Sequence, residues 1–311
     1  MKKLSLVFPG QGSQVPGMGK DFAEEAFAKE LFEQADDALG FGLTKLMWGE
    51  DAAVLTQTEN AQPALLVTGL VALEYLKCQS GKSVAEMAAF VAGHSLGEYT
   101  AVAAAGGMDF ETAVKLVRLR GEAMRDCGDT LSSRGSMSAI LGLEADVADK
   151  VARESGVVFA NDNSPGQAIF SGPVVALEKA EEAAKAAGAK RALRLNVSGP
   201  FHTPVMTGAA GEVRDFLKSH PLRDLSVPCV MNVKATGVQA AAEVTEGLVA
   251  QVTERVRWRE TMMFMAEQGV EQVVELGVGK VLTGMASRCD ARLSGVSLSN
   301  RAEVDAWVAT L

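Results

Sequence analysis

Residues 4–8 form an apolar run interrupted only by Ser5, and Pro9-Gly10 end it in a loop rich in Gly and Gln. The run predicts a short buried strand. Helical patterns follow over 21–39 and 61–79. Residues 88–92, small and apolar, predict a second strand that leads straight into Gly93-His94-Ser95-Leu96-Gly97, and an Ala-rich helix follows. Strands alternating with helices imply an α/β protein with a mainly parallel sheet.

The rhythm changes between residues 128 and 197. Strand patterns over 136–143, 157–161, 167–171 and 191–197 enclose helical patterns over 144–155 and 174–187, with a turn at Asn163-Ser164-Pro165-Gly166. That βαββαβ order is ferredoxin-like. It predicts a small subdomain, residues 128–197, inserted into an α/β-hydrolase-like large domain made of residues 1–127 and 198–311. The large domain resumes with helices over 206–219, 244–255 and 259–268 and strands over 227–232, 272–276 and 295–298.

Composition narrows the function classes. The chain has 311 residues, 48% hydrophobic, enough for a well-buried core. Its 30 Lys+Arg against 39 Asp+Glu give a net charge of −9, which argues against a non-specific nucleic-acid binder. Cys78, Cys127, Cys229 and Cys289 are widely spaced, so neither a metal site nor a disulfide framework is expected. No apolar run reaches the roughly 18 residues of a membrane span, and Pro9-Gly10 cut the first run too early for a signal-peptide core. A soluble, cytoplasmic protein is expected.

Gly93-His94-Ser95-Leu96-Gly97 matches G-x-S-x-G between a predicted strand and a predicted helix. Small flanking residues allow a tight turn that projects a strained Ser, and the helix N-terminus favours negative charge beside it. An ordinary Gly-rich connection is the alternative. A nucleophilic Ser needs a base, and there are only three histidines, His94, His202 and His220. His94 adjoins Ser95 on a sharp turn and points elsewhere. His220 precedes Pro221 at the end of a polar helix, where solvent is expected. His202, in the loop Gly199-Pro200-Phe201-His202-Thr203-Pro204, is the base candidate by elimination; a His that merely caps the next helix stays open.

The helix pattern beginning at Phe110 carries an anomaly. Ala113, Leu116, Val117, Arg120 and Met124 share its core-facing stripe, so Arg120 stands among apolar residues. A buried guanidinium requires a partner, and its fork fits a carboxylate. Either an internal Asp or Glu or a substrate carboxylate satisfies that requirement. Gln251, beside Leu248 and Val252, is a milder case. Phosphate-loop patterns are absent, since Gln14 and Val15 stand where glycines would be needed.

Together these blocks resemble the malonyl-CoA:acyl-carrier-protein transacylases of type II fatty acid synthesis. The resemblance rests on Phe8-Pro9-Gly10-Gln11-Gly12-Ser13-Gln14, Gly93-His94-Ser95-Leu96-Gly97-Glu98-Tyr99, Arg120, Asn163-Ser164-Pro165-Gly166-Gln167, Gly199-Pro200-Phe201-His202 and Gly277-Val278-Gly279-Lys280-Val281-Leu282. It implies Ser95 as nucleophile and His202 as base, then acid. The backbone carbonyl of Gln251 would orient His202, and the N–H groups of Gln11 and Leu96 would form the oxyanion hole. Arg120 would hold the malonyl carboxylate, with Met124 and Phe201 lining the pocket. In relatives, Phe before the histidine accompanies malonyl and a small residue accompanies methylmalonyl. Thr203 stands where many relatives have Ser.

The resemblance further implies malonyl-CoA and acyl carrier protein as substrate and partner, no metal or prosthetic group, no nucleic acid or membrane partner, and a monomer. A serine hydrolase or a non-catalytic carrier-docking module are the competing classes, and polyketide acyltransferases share the motifs. Both expected substrates are anionic, so a −9 protein needs placed positive charge. Lys185, Lys190, Arg191 and Arg194, with Lys280 and Arg288, are the candidate patch.

Overall fold

The computed structural model describes residues 2–129 and 135–311. Strand β1 (Leu4–Phe8) is followed by a 3-10 turn (Lys20–Glu24) and helices α1 (Ala26–Leu39), α2 (Leu43–Trp48), α3 (Ala52–Thr56), α4 (Thr58–Ser80) and α5 (Val84–Met87). Next come β2 (Phe90–Gly93), α6 (Leu96–Ala104) and α7 (Phe110–Asp129). The middle segment runs β3 (Gly135–Leu141), α8 (Ala145–Glu154), β4 (Val158–Ser164), β5 (Gln167–Pro173), α9 (Val174–Ala186) and β6 (Arg191–Arg194). A 3-10 turn (Pro204–Met206), α10 (Thr207–Ser219), β7 (Cys229–Val230), β8 (Gly237–Val238), α11 (Ala241–Gln251) and α12 (Trp258–Glu267) follow. Strand β9 (Gln272–Leu276), α13 (Thr283–Cys289), β10 (Ser294–Leu298) and α14 (Arg301–Val308) complete the chain.

Two sheets result. The first has the order β10-β9-β1-β2-β7-β8, parallel except for the antiparallel edge pair β7–β8. The second, β4-β5-β3-β6, is antiparallel throughout. Strands β1 and β2 read as apolar runs because both faces of the first sheet are covered. One face packs on α4 and α6, with α7 against those two helices, in a core that includes Leu6, Leu66 and Val117. The other packs Val7, Ala92 and Val273 against Trp258 and Met262 of α12. In the second sheet Ile140 and Phe170 face α8 and α9, while Met137 and Ile169 join the large core.

The second sheet is tied to α12 and the segment before it by backbone as well as side chains. Val256 N donates to Ala160 O at 2.8 Å and Asp162 N to Val256 O at 2.9 Å, and Arg259 pairs with Asp162 at 2.8 Å. The strand–helix alternation and the βαββαβ order are as expected. The expected subdomain start at residue 128 falls inside α7, and residues 130–134 of that expected span lie outside the described residues. Among the described residues no helix is long and apolar enough to cross a membrane.

Several expected elements differ in extent. The single helix over 21–39 is split at Glu25, whose backbone is extended; Glu24 and Glu25 there turn to Arg301. The strand over 191–197 stops at Arg194, and the one over 227–232 is reduced to Cys229–Val230. Strand β4 instead runs through Ser164, leaving only Pro165-Gly166 as the hairpin tip. The helix over 244–255 ends at Gln251, one turn early.

Candidate active site

Strand β2 ends at Gly93, and α6 begins at Leu96. Between them Ser95 adopts φ 50°, ψ −107°, a conformation that L-residues rarely enter. The turn is closed by close backbone approach. A Cβ on Gly93 would lie 1.9 Å from the Gly97 carbonyl carbon, and one on Gly97 would lie 2.0 Å from Phe8 O. Only glycine fits at either position. Asn232 clamps the turn from outside, accepting from Ser95 N at 2.8 Å and donating to Gly93 O at 2.7 Å. That is why β7 ends early: Asn232 leaves the ladder to hold the elbow.

Ser95 Oγ lies 2.8 Å from His202 Nε2, and His202 Nδ1 lies 2.8 Å from the backbone oxygen of Gln251. A carbonyl oxygen only accepts, so Nδ1 carries the proton and Nε2 is left to accept from the serine hydroxyl. His202 is nearly fully buried and holds φ at 58°. Burial, then the neighbouring Arg120 charge, pushes its pKa from 6.5 down to about 3. The imidazole is therefore neutral and basic in form at pH 7.

Arg120 is 1% exposed, as its place on the apolar stripe predicts. Its Nη1 donates to Gln62 Oε1 at 2.6 Å, and its Nη2 to Gln251 Oε1 at 2.9 Å and Ser95 Oγ at 3.1 Å. The guanidinium lies over the Tyr99 ring, 5.0 Å from its centroid. Among the described residues no Asp or Glu forms an ion pair with it, and its Nε has no hydrogen-bond partner. The internal ion pair left open by the sequence is absent from these residues. A buried, unpaired guanidinium beside the nucleophile is an anion receptor.

These groups share a cavity of about 420 Å³ between the two sheets, lined also by Gln11, Leu96, Met124 and Phe201. Leu96 opens α6, so its N–H lacks an acceptor within the helix. Gln11 is held by its side chain, which accepts from Thr58 Oγ1 at 2.8 Å. Met124 and Phe201 are almost fully buried. Seven of the eight expected site residues line this cavity, and Gln251 is buried behind it, bonded to His202 and Arg120.

The remaining histidines separate as expected. His94 Nε2 bonds Asn163 Oδ1 at 2.8 Å and stacks edge-on to Trp258. His220, exposed at the C-cap of α10, stacks on Phe216. The expected basic patch is weakened at one point, because Arg194 pairs with Glu181 at 2.9 Å. Lys185, Lys190, Arg191, Lys280 and Arg288 are exposed. Residues 195–197, directly after β6, line the cavity.

Several residues at the site were not anticipated. Glu98, fully buried, accepts from Asn232 N at 2.5 Å and Gln251 Nε2 at 3.0 Å. Burial pushes its pKa from 4.5 up to about 8, against those two donors and Arg120. It is the one charged side chain in the apolar helix α6. Asn161 and Asn163 enter the cavity from β4, where two irregularities in the pairing with β5 re-aim the strand. Among the described residues no group of three or more His, Cys, Asp or Glu is placed to hold a metal ion.

Comparison with known proteins agrees with this geometry. The family described as "Acyl transferase domain" matches residues 5–294. The malonyl CoA-acyl carrier protein transacylase of Bacillus subtilis (strain 168) is 42% identical, covering 100% of this chain and 98% of the relative. The crystal structure of an acyl-carrier-protein-S-malonyltransferase from Bartonella henselae superposes with a TM-score of 0.95 at 38% identity, over 99% of both chains. A malonyl-transacylase solved in complex with its type II PKS acyl-carrier protein superposes with a TM-score of 0.94 at 37% identity, over 99% of this chain and 100% of that one.

Proposed function

The chain belongs to the acyl transferase family and, within it, to the malonyl-CoA:acyl-carrier-protein transacylases, and from that premise we propose how its site moves a malonyl group from malonyl-CoA to acyl carrier protein. The reading is a two-step transfer through a malonyl ester of Ser95. It supplies extender units for fatty acid biosynthesis.

In the first half-reaction Ser95 Oγ attacks the thioester carbonyl while His202 Nε2 takes the hydroxyl proton. The carbonyl oxygen becomes an oxyanion, facing the N–H groups of Gln11 and Leu96. Collapse breaks the C–S bond, and the departing CoA thiolate takes the proton back from His202. The second half-reaction runs the same steps with the phosphopantetheine thiol of the carrier protein as nucleophile and Ser95 as leaving group. Every step is acyl or proton transfer, so the reading calls for no metal or prosthetic group.

Arg120 carries the assignment. Its buried guanidinium has no acid partner among the described residues and reaches Ser95 Oγ at 3.1 Å. A malonyl carboxylate pairs it; an acetyl group leaves it unpaired at a cost of several kcal/mol. All of these groups come from one chain, which supports action as a monomer. The free thiols of CoA and carrier protein fit a reducing cytoplasm. Exposed Lys190 and Arg191 precede the cavity-lining residues 195–197, which supports that edge as the carrier's approach.

The test is to incubate the protein with malonyl-CoA and holo-carrier protein and weigh the carrier. Malonyl on the carrier thiol is expected. Free malonate in place of malonyl-carrier would instead make the protein a hydrolase.

A further inference from the structure

Glu98 has no place in the transfer just described, yet it bonds both Asn232 and Gln251, the residues that hold the Ser95 turn and His202. One oxygen accepts from Asn232 N, and Asn232 in turn clamps both sides of the Ser95 turn. The other accepts from the Gln251 amide, whose second hydrogen goes to Ser95 O at 2.6 Å. With both its hydrogens committed, Gln251 can present only its oxygen to Arg120, at 2.9 Å, while its backbone oxygen holds His202. A rotated amide would set its oxygen against the Ser95 carbonyl oxygen, which cannot donate, and its NH2 against the guanidinium.

We propose that Glu98 is a positioning residue for acyl selectivity, which fixes the Gln251 amide and through it holds Arg120 where the substrate carboxylate arrives. The proposal rests on the malonyl-transfer reading. It also accounts for a carboxyl group in an apolar helix, where burial is costly unless the group has work to do.

Glu98→Gln tests it. The backbone N–H of Asn232 cannot rotate, so the introduced amide must turn its oxygen there and its NH2 toward Gln251. An acid oxygen accepts from Gln251 in either protonation state, whereas an amide nitrogen cannot. Gln251 must then rotate, and Arg120 loses its anchor. The Ser95 acyl-enzyme is followed by time-resolved intact mass with malonyl-CoA and with acetyl-CoA, normalised to the fraction of chains that become acylated.

The malonyl-over-acetyl preference is expected to fall roughly ten- to hundredfold, the size of one buried charge-assisted hydrogen bond. Glu98→Asp, too short to reach both partners, should lower it in the same direction. An unchanged preference in both variants would overturn the proposal. Equal losses with both thioesters, or failure of both variants to fold, would make Glu98 a folding residue and overturn it too. Wild-type protein that forms no malonyl-Ser95 would instead sink the transfer reading itself.

Discussion

Replacing Arg120 with Met keeps the length and apolar stem of the side chain and removes only the charged fork. The three acceptors that Arg120 contacts, on Gln62, Ser95 and Gln251, then lose their donor. For malonyl-CoA the consequence is larger, because its carboxylate must reach the buried position of Arg120 with no counter-charge. Breaking a buried ion pair by removing one partner costs about 3–5 kcal/mol. At about 1.4 kcal/mol per decade, acylation by malonyl-CoA should slow by two to three and a half decades in kcat/KM. Acetyl-CoA carries no carboxylate and no longer leaves a guanidinium unpaired, so its kcat/KM should hold or rise. The assay is kcat/KM for Ser95 acylation with the two thioesters, read alongside Tm to confirm folding. A malonyl-to-acetyl ratio that stays at the wild-type value would refute the carboxylate role of Arg120.

Three further outcomes follow from the same geometry. The depressed pKa of His202 means that the base stays neutral until pH falls toward about 3, so the acid limb of kcat/KM should lie well below pH 6.5. A bound carboxylate offsets Arg120, so the limb of kcat should lie above that of kcat/KM; a kcat/KM limb at 6.5 would contradict the assignment. Phe201→Ala should raise the methylmalonyl-to-malonyl ratio at least tenfold by opening the cavity wall, at a stability cost of about 3–5 kcal/mol, and an unchanged ratio would remove Phe201 from the selectivity account. Reversing Lys190 and Arg191 to Glu should raise KM for the carrier protein several-fold and spare acylation by malonyl-CoA; an unmoved KM would clear this edge of a docking role.

What the chain discloses before folding divides along physical lines. The sheet strands β1 and β2 were legible because a strand covered on both faces is apolar at nearly every position. The βαββαβ order was legible from alternating short periods. Helices α2, α3 and α5 were not, because four to six residues hold less than two turns of pattern. Helix α14 starts at a cap that sequence can signal, Asn300, whose side chain accepts from Glu303 N at 3.0 Å.

The site shows the same division. Ser95 and Arg120 were legible because each breaks a local rule, one a strained turn and the other a charge on an apolar stripe. Glu98 breaks the second rule equally, but one charge in a nine-residue helix has no stripe to stand out from. Asn232 and Gln62 act through partners many tens of residues away, which only the folded chain brings together. Arg194 shows the converse: its place in a basic run does not disclose Glu181, 13 residues away on α9, with which it pairs.

The central claim is a malonyl ester on Ser95. Wild-type protein mixed with malonyl-CoA and digested should yield the peptide containing Ser95 carrying one malonyl group, and Ser95→Ala should yield none anywhere in the chain. An undiminished adduct in Ser95→Ala, or malonyl found on another residue of the wild type, would contradict it.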